Sequence, residues 1–222
     1  MRAASGRSPE DHLMYMGKSF ERLSLIASQN PFAWSKKALS AQAIATPTPA
    51  NRYVGYPYTK SMNANVNVDQ SAAVIMTTED SARSLGIPED KWVYPVGGAD
   101  LNDIWYVTRR PCLHESPAIR NASSIALKQA NLTLDDIHVF DLYSCFPSAF
   151  EIAQREIGIP EDDPRDLSVL GRLEDGKRTL AVIDAGPEEL LQMEMVELAG
   201  KQGVVRYDKE SGRNLARFNA FG

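Results

Sequence analysis

Cys145 is the residue whose type and position most directly allow covalent chemistry. It lies just before a predicted helix, and a thiol becomes a nucleophile when a helix N terminus or a nearby cation favours the thiolate. A free cysteine is more often a small, buried, apolar residue. Both interpretations stay open, and we favour the structural one. Cys112 lies in a proline-containing loop and has no supporting feature.

The histidines His12, His114 and His138 are isolated from one another in the sequence. Their spacing matches no metal-site pattern, so we predict no metal site. His114 stands beside Glu115 and before a predicted helix cap at Ser116, which makes it the histidine to consider as a catalytic residue. The simpler interpretation of His114 is a surface side chain.

Three amphipathic helices and three short apolar strands must position these residues. The helices are expected because a capping residue or proline precedes each apolar repeat and glycine or asparagine follows it. They run from Pro9 to Asn30, from Ser116 to Asn131 and from Phe146 to Ile157, and a shorter helix starts at Thr78 and stops at Gly86. The strands are Ala72 to Thr77, Trp92 to Val96 and Ile137 to Leu142. This alternation predicts an α/β fold with a buried sheet.

The remaining segments are expected to be less regular. Ala41 to Pro57 has three prolines and no clear period, which indicates an irregular crossing segment. Residues 161–176 are acidic and polar, a composition that indicates a linker. Beyond it we predict a small α+β or barrel-like module, residues 177–222. Its elements are a strand from Arg178 to Ile183, a helix from Pro187 to Leu198, and strands from Val204 to Tyr207 and from Leu215 to Phe218.

Composition excludes several classes of protein. The chain has 222 residues, of which 43% are hydrophobic and 24% charged, so it is neither disordered nor fibrous. A net charge of −5 gives no broad basic surface for nucleic acid or anionic membrane. Two cysteines cannot form a disulfide scaffold, and no apolar run reaches the length of a membrane span. We therefore expect a cytoplasmic protein.

Several separated blocks, in the same order, resemble the thiolase superfamily, and in particular the thiolase-like proteins of type 1 that are related to sterol-carrier-type thiolases. The blocks are Asn51-Arg52-Tyr53, Pro57-Tyr58-Thr59-Lys60, Trp92-Val93-Tyr94-Pro95 and Asp141-Leu142-Tyr143-Ser144-Cys145-Phe146. The resemblance implies that residues 1–160 are the second half of a layered thiolase-like fold, a mixed sheet with covering helices. It also implies that residues 177–222 are the additional C-terminal domain of these proteins.

The resemblance also assigns candidate roles. Tyr143 stands where the family places an oxyanion-hole residue, and Asn63 aligns with a loop asparagine that could donate to the substrate. Arg109 and Arg110 could meet the phosphates of coenzyme A, although ordinary solvated charge is the simpler interpretation. A phenol is a poor base at neutral pH, which favours carbonyl polarisation, as in retro-aldol cleavage, over Claisen chemistry. For Tyr143 and Asn63, local structural roles stay open as alternatives.

Two features of active family members are missing from the sequence, namely the half with the nucleophilic cysteine and a Gly-His-Pro segment. We therefore expect a fragment of a longer acyltransferase, acting on acyl-CoA thioesters but inactive alone. Coenzyme A would enter as part of the substrate, and no bound cofactor is expected. The alternatives are a non-catalytic assembly or acyl-CoA-binding subunit and an aldolase-like carbon–carbon lyase. The resemblance also implies a homodimer or a partner subunit, and a peroxisomal or mitochondrial location if the source is eukaryotic.

Overall fold

A computed structural model of the chain describes residues 1–65, 67 and 74–165, together with the backbone of strands at 179–182, 205–208 and 213–216. The helix predicted from Pro187 to Leu198 lies outside the described residues, as does most of the predicted linker. In chain order, the helices are α1 Pro9–Gln29, α2 Ala41–Ala45, α3 Glu79–Ser84, α4 Pro117–Ala130 and α5 Pro147–Ile157. The strands are β1 Tyr53–Gly55, β2 Tyr58–Thr59, β3 Val139–Leu142, β4 Thr179–Val182, β5 Val205–Asp208 and β6 Arg213–Ala216.

The helices begin and end where their capping residues predict. The Ser8 hydroxyl accepts the Asp11 amide at the start of α1, and the Ser116 hydroxyl accepts the Ile119 amide at the start of α4. Asn131 and Gly158 terminate α4 and α5 in the left-handed conformation, with φ of 55° and 88°. The predictions of α1, α3, α4 and α5 are therefore confirmed to within one or two residues.

The main core lies between α4, β3 and α5. Its buried side chains come from all three elements and from the loops that join them, and they include Ile119, Ile137, Phe140, Leu142, Phe150, Ala153 and Ile159. The strand β3 pairs in parallel with β4, with Val139 opposite Thr179 and Leu142 opposite Val182. Burial of this apolar surface is the main stabilising contribution of the region.

A second, smaller core joins α1 to the segment that follows it. Met16 on α1, Ile44 and Ala45 on α2, and Met62 are buried together. The helix α2 corrects the prediction of an irregular stretch from Ala41 to Pro57, because Ser40 caps it and its two apolar residues face α1. Five residues are too few for a visible helical period, so the sequence pattern hid this helix.

Two of the predicted strands are not strands among the described residues. Residues 74–78 and 92–100 have no regular secondary structure, and residues 72 and 73 lie outside the described part. Ile75 is 75% exposed and Met76 60% exposed, so the expected burial on both faces is wrong there. A strand exists only through a hydrogen-bonded neighbour, and an apolar run does not reveal whether that neighbour is present.

The remaining strands form two antiparallel pairs. The backbone of β5 pairs with β6 in register from Val205–Ala216 to Asp208–Arg213, which confirms the last two predicted strands. Near the middle of the chain β1 pairs with β2. Strands, covering helices and a parallel β3–β4 pair together make this an α/β chain. No helix among the described residues combines the length and the apolar character needed to cross a membrane.

Candidate functional site

Tyr143 and Cys145 lie at the carboxyl end of β3, in the short connection that leads into α5. This is the edge at which α/β proteins place their ligand sites, because the loops after parallel strands gather there. Both side chains are half-buried. The position agrees with the place that the sequence predicts for them, since the strand ends at Leu142 and the helix starts at Pro147.

A backbone hydrogen bond brings the loop that carries Asn63 to this connection. The Ala64 amide donates to the Cys145 carbonyl oxygen at 3.1 Å. Beside it, the Tyr58 ring stacks on the Phe146 ring, with the planes 16° apart and the ring centroids separated by 6.4 Å. Two segments about eighty residues apart in sequence, each with a family-like block, therefore meet at one site.

Asn51 anchors the loop that brings Asn63 to the site. Its amide nitrogen donates to the carbonyl oxygens of Ala43, Ile44 and Thr46 at 3.0–3.1 Å, and its side-chain oxygen accepts the Ser61 amide at 2.9 Å. The buried Thr59 hydroxyl adds a bond to the Ile44 carbonyl at 2.7 Å. The first asparagine of the Asn-Arg-Tyr block thus has a positioning role, which the sequence analysis did not assign.

The Asn63 side chain makes a local contact. Its amide nitrogen donates to the Thr59 carbonyl oxygen at 2.6 Å and so closes the turn at Lys60–Met62. This is the turn-forming role that the sequence analysis left open. One amide hydrogen is used in this way, and donation to a substrate by the second stays a prediction.

Cys145 precedes a helix start that lacks a side-chain cap. Phe146 is the N-cap residue of α5 and makes no side-chain hydrogen bond to the first turn, and Pro147 occupies the first helical position. The first-turn amides of a helix carry partial positive charge, which favours a thiolate nearby. The geometry is compatible with a nucleophile and also with a half-buried structural thiol.

His114 makes its contacts in a different loop, before α4. Its ring nitrogens lie 3.0 Å (Nδ1) and 3.4 Å (Nε2) from the Cys112 sulfur, and Nε2 lies 3.8 Å from an oxygen of Glu115. In the sequence, Cys112 has no supporting feature and the histidines have no metal-type spacing. The structure instead gathers thiol, imidazole and carboxylate, and the signal for this was the compact Cys112-Leu113-His114-Glu115 run.

The two arginines expected to meet phosphates lie a few residues before this loop. Arg109 is exposed at the end of the turn Val107–Arg109. Arg110 is partly buried and donates from Nε to the Ile104 carbonyl oxygen at 2.7 Å. This contact fixes the Arg110 side chain over its own loop. Phosphate binding by either residue stays a prediction.

Comparison with known proteins identifies solved structures that the chain resembles. No protein-family model matches the sequence, and no curated protein matches it. Among solved structures, the chain is similar to a monomeric SCP2-thiolase-like protein type 1 from Mycobacterium smegmatis, at 38% identity and a TM-score of 0.70. That match covers 78% of this chain and 38% of the relative, so the chain spans well under half of the relative's length.

A second solved structure, an Ltp2-ChsH2(DUF35) aldolase, matches with a TM-score of 0.50 over 78% of this chain and 49% of that one. At 16% identity this likeness concerns the fold alone. The first match adds sequence identity to the shared fold, and it agrees with the blocks that resemble thiolase-like proteins. The chain therefore has a thiolase-like fold, and over 78% of its length it is similar in sequence to an SCP2-thiolase-like protein of type 1.

Proposed function

We propose that the chain carries the acyl-CoA-binding and carbonyl-polarising part of a thiolase-like acyltransferase, with the connection between β3 and α5 as its site. The observation that carries this proposal is the hydrogen bond from the Ala64 amide to the Cys145 carbonyl, 3.1 Å long. It holds the Asn63 loop against the connection that bears Tyr143 and Cys145. The substrate is a coenzyme A thioester, and the proposal needs no bound cofactor.

Tyr143 is the polarising residue in this proposal. Its hydroxyl donates a hydrogen bond to the thioester carbonyl oxygen and so stabilises the negative charge that develops there during attack. Phenols titrate far above neutral pH, so Tyr143 acts as a donor and does not abstract a proton. The half-buried setting of Tyr143 supports this role, because such a donor is worth more where water is partly excluded.

Cys145 is the candidate acyl carrier. Its thiolate would form a bond to the thioester carbonyl carbon and release the coenzyme A thiolate, and an acceptor would then take the acyl group from the sulfur. The uncapped start of α5 supports the thiolate. Arg109 and Arg110 supply positive charge for the coenzyme A phosphates.

A carbon–carbon lyase of the retro-aldol type is a second candidate, and the tyrosine at position 143 favours it. In such a reaction a base removes the proton of the β-hydroxyl group and the carbon–carbon bond breaks. The electrons of that bond form an enolate, whose oxygen accepts a hydrogen bond from the donor. Tyr143 provides the donor. The solved neighbour described as an aldolase shares the fold, which supports the alternative only at that level.

An assembly role is a third candidate, because a strip of apolar side chains is exposed. Ile104, Trp105, Tyr106 and Val107 are between 49% and 70% exposed and adjacent in sequence. Exposed apolar surface of this kind is characteristic of sites where proteins associate. A second copy or a partner subunit could cover the strip, whereas the Mycobacterium smegmatis relative is described as monomeric.

Binding of a coenzyme A thioester tests the primary proposal. Calorimetric titration with acetoacetyl-CoA and with free CoA should show binding of both, and Tyr143→Phe should weaken only the thioester, by about 5- to 10-fold, the loss of one hydrogen bond. Tyr94→Phe, an exposed tyrosine, is the matched control. Absence of thioester binding, or equal weakening of CoA and thioester, would contradict the proposal.

Activity distinguishes the two reaction classes. Acetoacetyl-CoA with free CoA reports acyl transfer through loss of thioester absorbance, and Cys145→Ala should abolish any turnover if its sulfur carries the acyl group. A β-hydroxyacyl-CoA reports retro-aldol cleavage, which should survive Cys145→Ala and fall about 10²-fold in Tyr143→Phe. Cleavage of the β-hydroxyacyl-CoA alone would assign the lyase.

A further inference from the structure

The loop before α4 gathers three side chains that bind transition metals. One atom each from Cys112, His114 and Glu115 lies within 4.8 Å of the other two. All three residues are half-buried, so a solvated ion can reach them. We propose that Cys112, His114 and Glu115 form a three-ligand site for a thiophilic divalent metal ion, of which Zn²⁺ is the best match.

The distances in the loop are close to those of a zinc site. Tetrahedral bonds of about 2.0–2.3 Å place the ligand atoms roughly 3.3–3.8 Å apart. Nε2 of His114 lies 3.4 Å from the Cys112 sulfur and 3.8 Å from Oε1 of Glu115, and the chosen atoms of all three residues lie within 4.8 Å of one another. Binding of a common ion by Nε2, the sulfur and one oxygen requires the three side chains to rotate, which their half-exposed positions in the loop allow.

The carboxylate ligand is oriented by neighbouring charges. Glu115 directs Oε1 towards His114, while its Oε2 lies 3.9 Å from the Arg120 guanidinium. Arg120 donates in turn to Glu156 at 2.6 Å, and the Glu156 side chain is only 1% exposed. At 3.9 Å the contact between Arg120 and Glu115 is an ion-pair contact and not a hydrogen bond, so it orients Glu115 only weakly. Arg120 engages one oxygen of Glu115 and leaves the other for an ion.

The end of the loop is fixed to the helix that follows it. Ser116 caps α4, donates from its hydroxyl to the buried Asp103 at 2.5 Å, and has its amide bonded to Glu156 at 3.2 Å. Asp103 also accepts the Ala118 amide at 3.1 Å. Ser116, the residue after Glu115, therefore takes part in three hydrogen bonds, and its partner Asp103 is held by a further bond from Ala118. This anchoring lowers the entropy lost when an ion orders the ligands.

The chemistry of the ligands selects the metal. A thiolate prefers zinc, cobalt or other borderline and soft ions over magnesium and calcium, which bind all-oxygen sites. On binding, the metal–sulfur bond replaces the S–H bond and one proton leaves to solvent, so a thiolate and a carboxylate balance the charge of a divalent ion. Three protein ligands leave the fourth position to water, as in catalytic zinc sites.

Titration of the full chain with Co²⁺ alone, after treatment with a chelator, tests the site. We expect one ion per chain and a sulfur-to-cobalt charge-transfer absorption. Cys112→Ser should abolish that absorption, and His114→Ala and Glu115→Gln should each weaken binding by at least about 10-fold. Competition by Zn²⁺ should displace the cobalt, whereas Mg²⁺ should not.

Matched variants separate this site from adventitious binding. Cys145→Ser removes the other cysteine and should leave both the absorption and the affinity unchanged. Arg120→Gln should change the affinity less than Glu115→Gln does and leave the spectrum unaltered, because Arg120 contacts only Glu115 among the ligands. Circular dichroism should show the same helix content in every variant. Cobalt bound without the charge-transfer absorption, or an absorption that Cys145→Ser removes and Cys112→Ser retains, would overturn the proposal.

Discussion

Nε2 of His12 on α1 lies 3.6 Å from Oε1 of Glu151 on α5, and the two side chains are only 8% and 3% exposed. Neither oxygen of Glu151 accepts a hydrogen bond from the described residues. Burial raises the pKa of Glu151 to about 7. Burial, followed by the charge of Arg7, lowers the pKa of His12. Both shifts favour the neutral forms, so this contact is a buried polar pair and not a stable ion pair.

Glu151→Gln should stabilise the protein at alkaline pH and have little effect at acid pH. The folded-state pKa of Glu151 is about 7, above its ordinary value of 4.5, so the folded state binds the proton more tightly. Between pH 4.5 and about pH 7, Glu151 is ionised in the unfolded state but still protonated in the folded state. The free energy of unfolding therefore falls as the pH rises, by about 3 kcal/mol in total. Glutamine has nearly the shape of the protonated glutamate and does not ionise, so the variant does not lose stability as the pH rises. Urea unfolding of both proteins at pH 5 and pH 8 measures the difference.

An exposed glutamate provides the control for that experiment. Glu10→Gln, on the surface of α1, should change the free energy of unfolding by less than about 0.5 kcal/mol at either pH. If the advantage of Glu151→Gln over the parent chain were the same at pH 5 and pH 8, Glu151 would not titrate in the folded state as its burial requires.

Replacing Trp105 with serine should weaken self-association of the chain. Trp105 is 61% exposed within the apolar strip Ile104–Val107, and association through this strip removes its surface from water. Light scattering coupled to chromatography at micromolar concentration should show a species larger than a monomer for the parent and a shift towards the monomer for Trp105→Ser. Trp34→Ser, at a similarly exposed tryptophan, is the control and should not shift. A strictly monomeric parent chain would contradict this prediction.

The helices could be predicted because their signals are local. Ser8 and Ser116 cap α1 and α4, and Gly158 ends α5, each within one turn of the residues that it stabilises. The strands depend on partners far away in the sequence. Within the predicted range Ile137 to Leu142, only Val139–Leu142 is a strand, because residues 179–182 pair with it. Residues 92–96 are also apolar but have no ladder in the described part of the chain.

The position of the candidate site residues in the fold could be predicted from the sequence, but their contacts could not. The place of Tyr143 and Cys145 follows from the order of strand and helix, which the sequence shows. The bond from Ala64 to Cys145 depends on how Asn51 folds the preceding loop, a tertiary effect with no local pattern. The cluster of Cys112 and His114 was missed for a different reason, since three ligands within four residues match no familiar metal spacing.

Ser116→Ala should destabilise the protein more than loss of an ordinary helix cap. Ser116 caps α4 and also donates to the buried Asp103 at 2.5 Å, so alanine leaves that carboxylate without one of its donors. We expect a loss of about 2–3 kcal/mol, the sum of a missing cap and an under-bonded buried acceptor. Thr78→Ala, at the exposed cap of α3, should cost about 1 kcal/mol. Equal losses in urea unfolding would show that Asp103 does not depend on Ser116.

Gly97→Ala should destabilise the contact between the segment after Trp92 and the helix α4. A Cβ at Gly97 would lie 2.2 Å from the Ala126 carbonyl oxygen and 3.3 Å from the Ala130 amide nitrogen, and these atoms belong to backbone that cannot rotate away. The neighbouring Gly98 amide donates to the Gln129 side chain at 2.9 Å, a bond that would lengthen if the segment moved outward. We expect the free energy of unfolding to fall by about 1–3 kcal/mol and the Tm to fall by several degrees, roughly 2–4 °C for each kcal/mol.

Gly55→Ala is the matched control, because no atom lies within 4 Å of the added methyl group. Thermal unfolding that lowers the Tm of Gly97→Ala no more than that of Gly55→Ala would mean that residues 92–98 do not pack on α4 in solution.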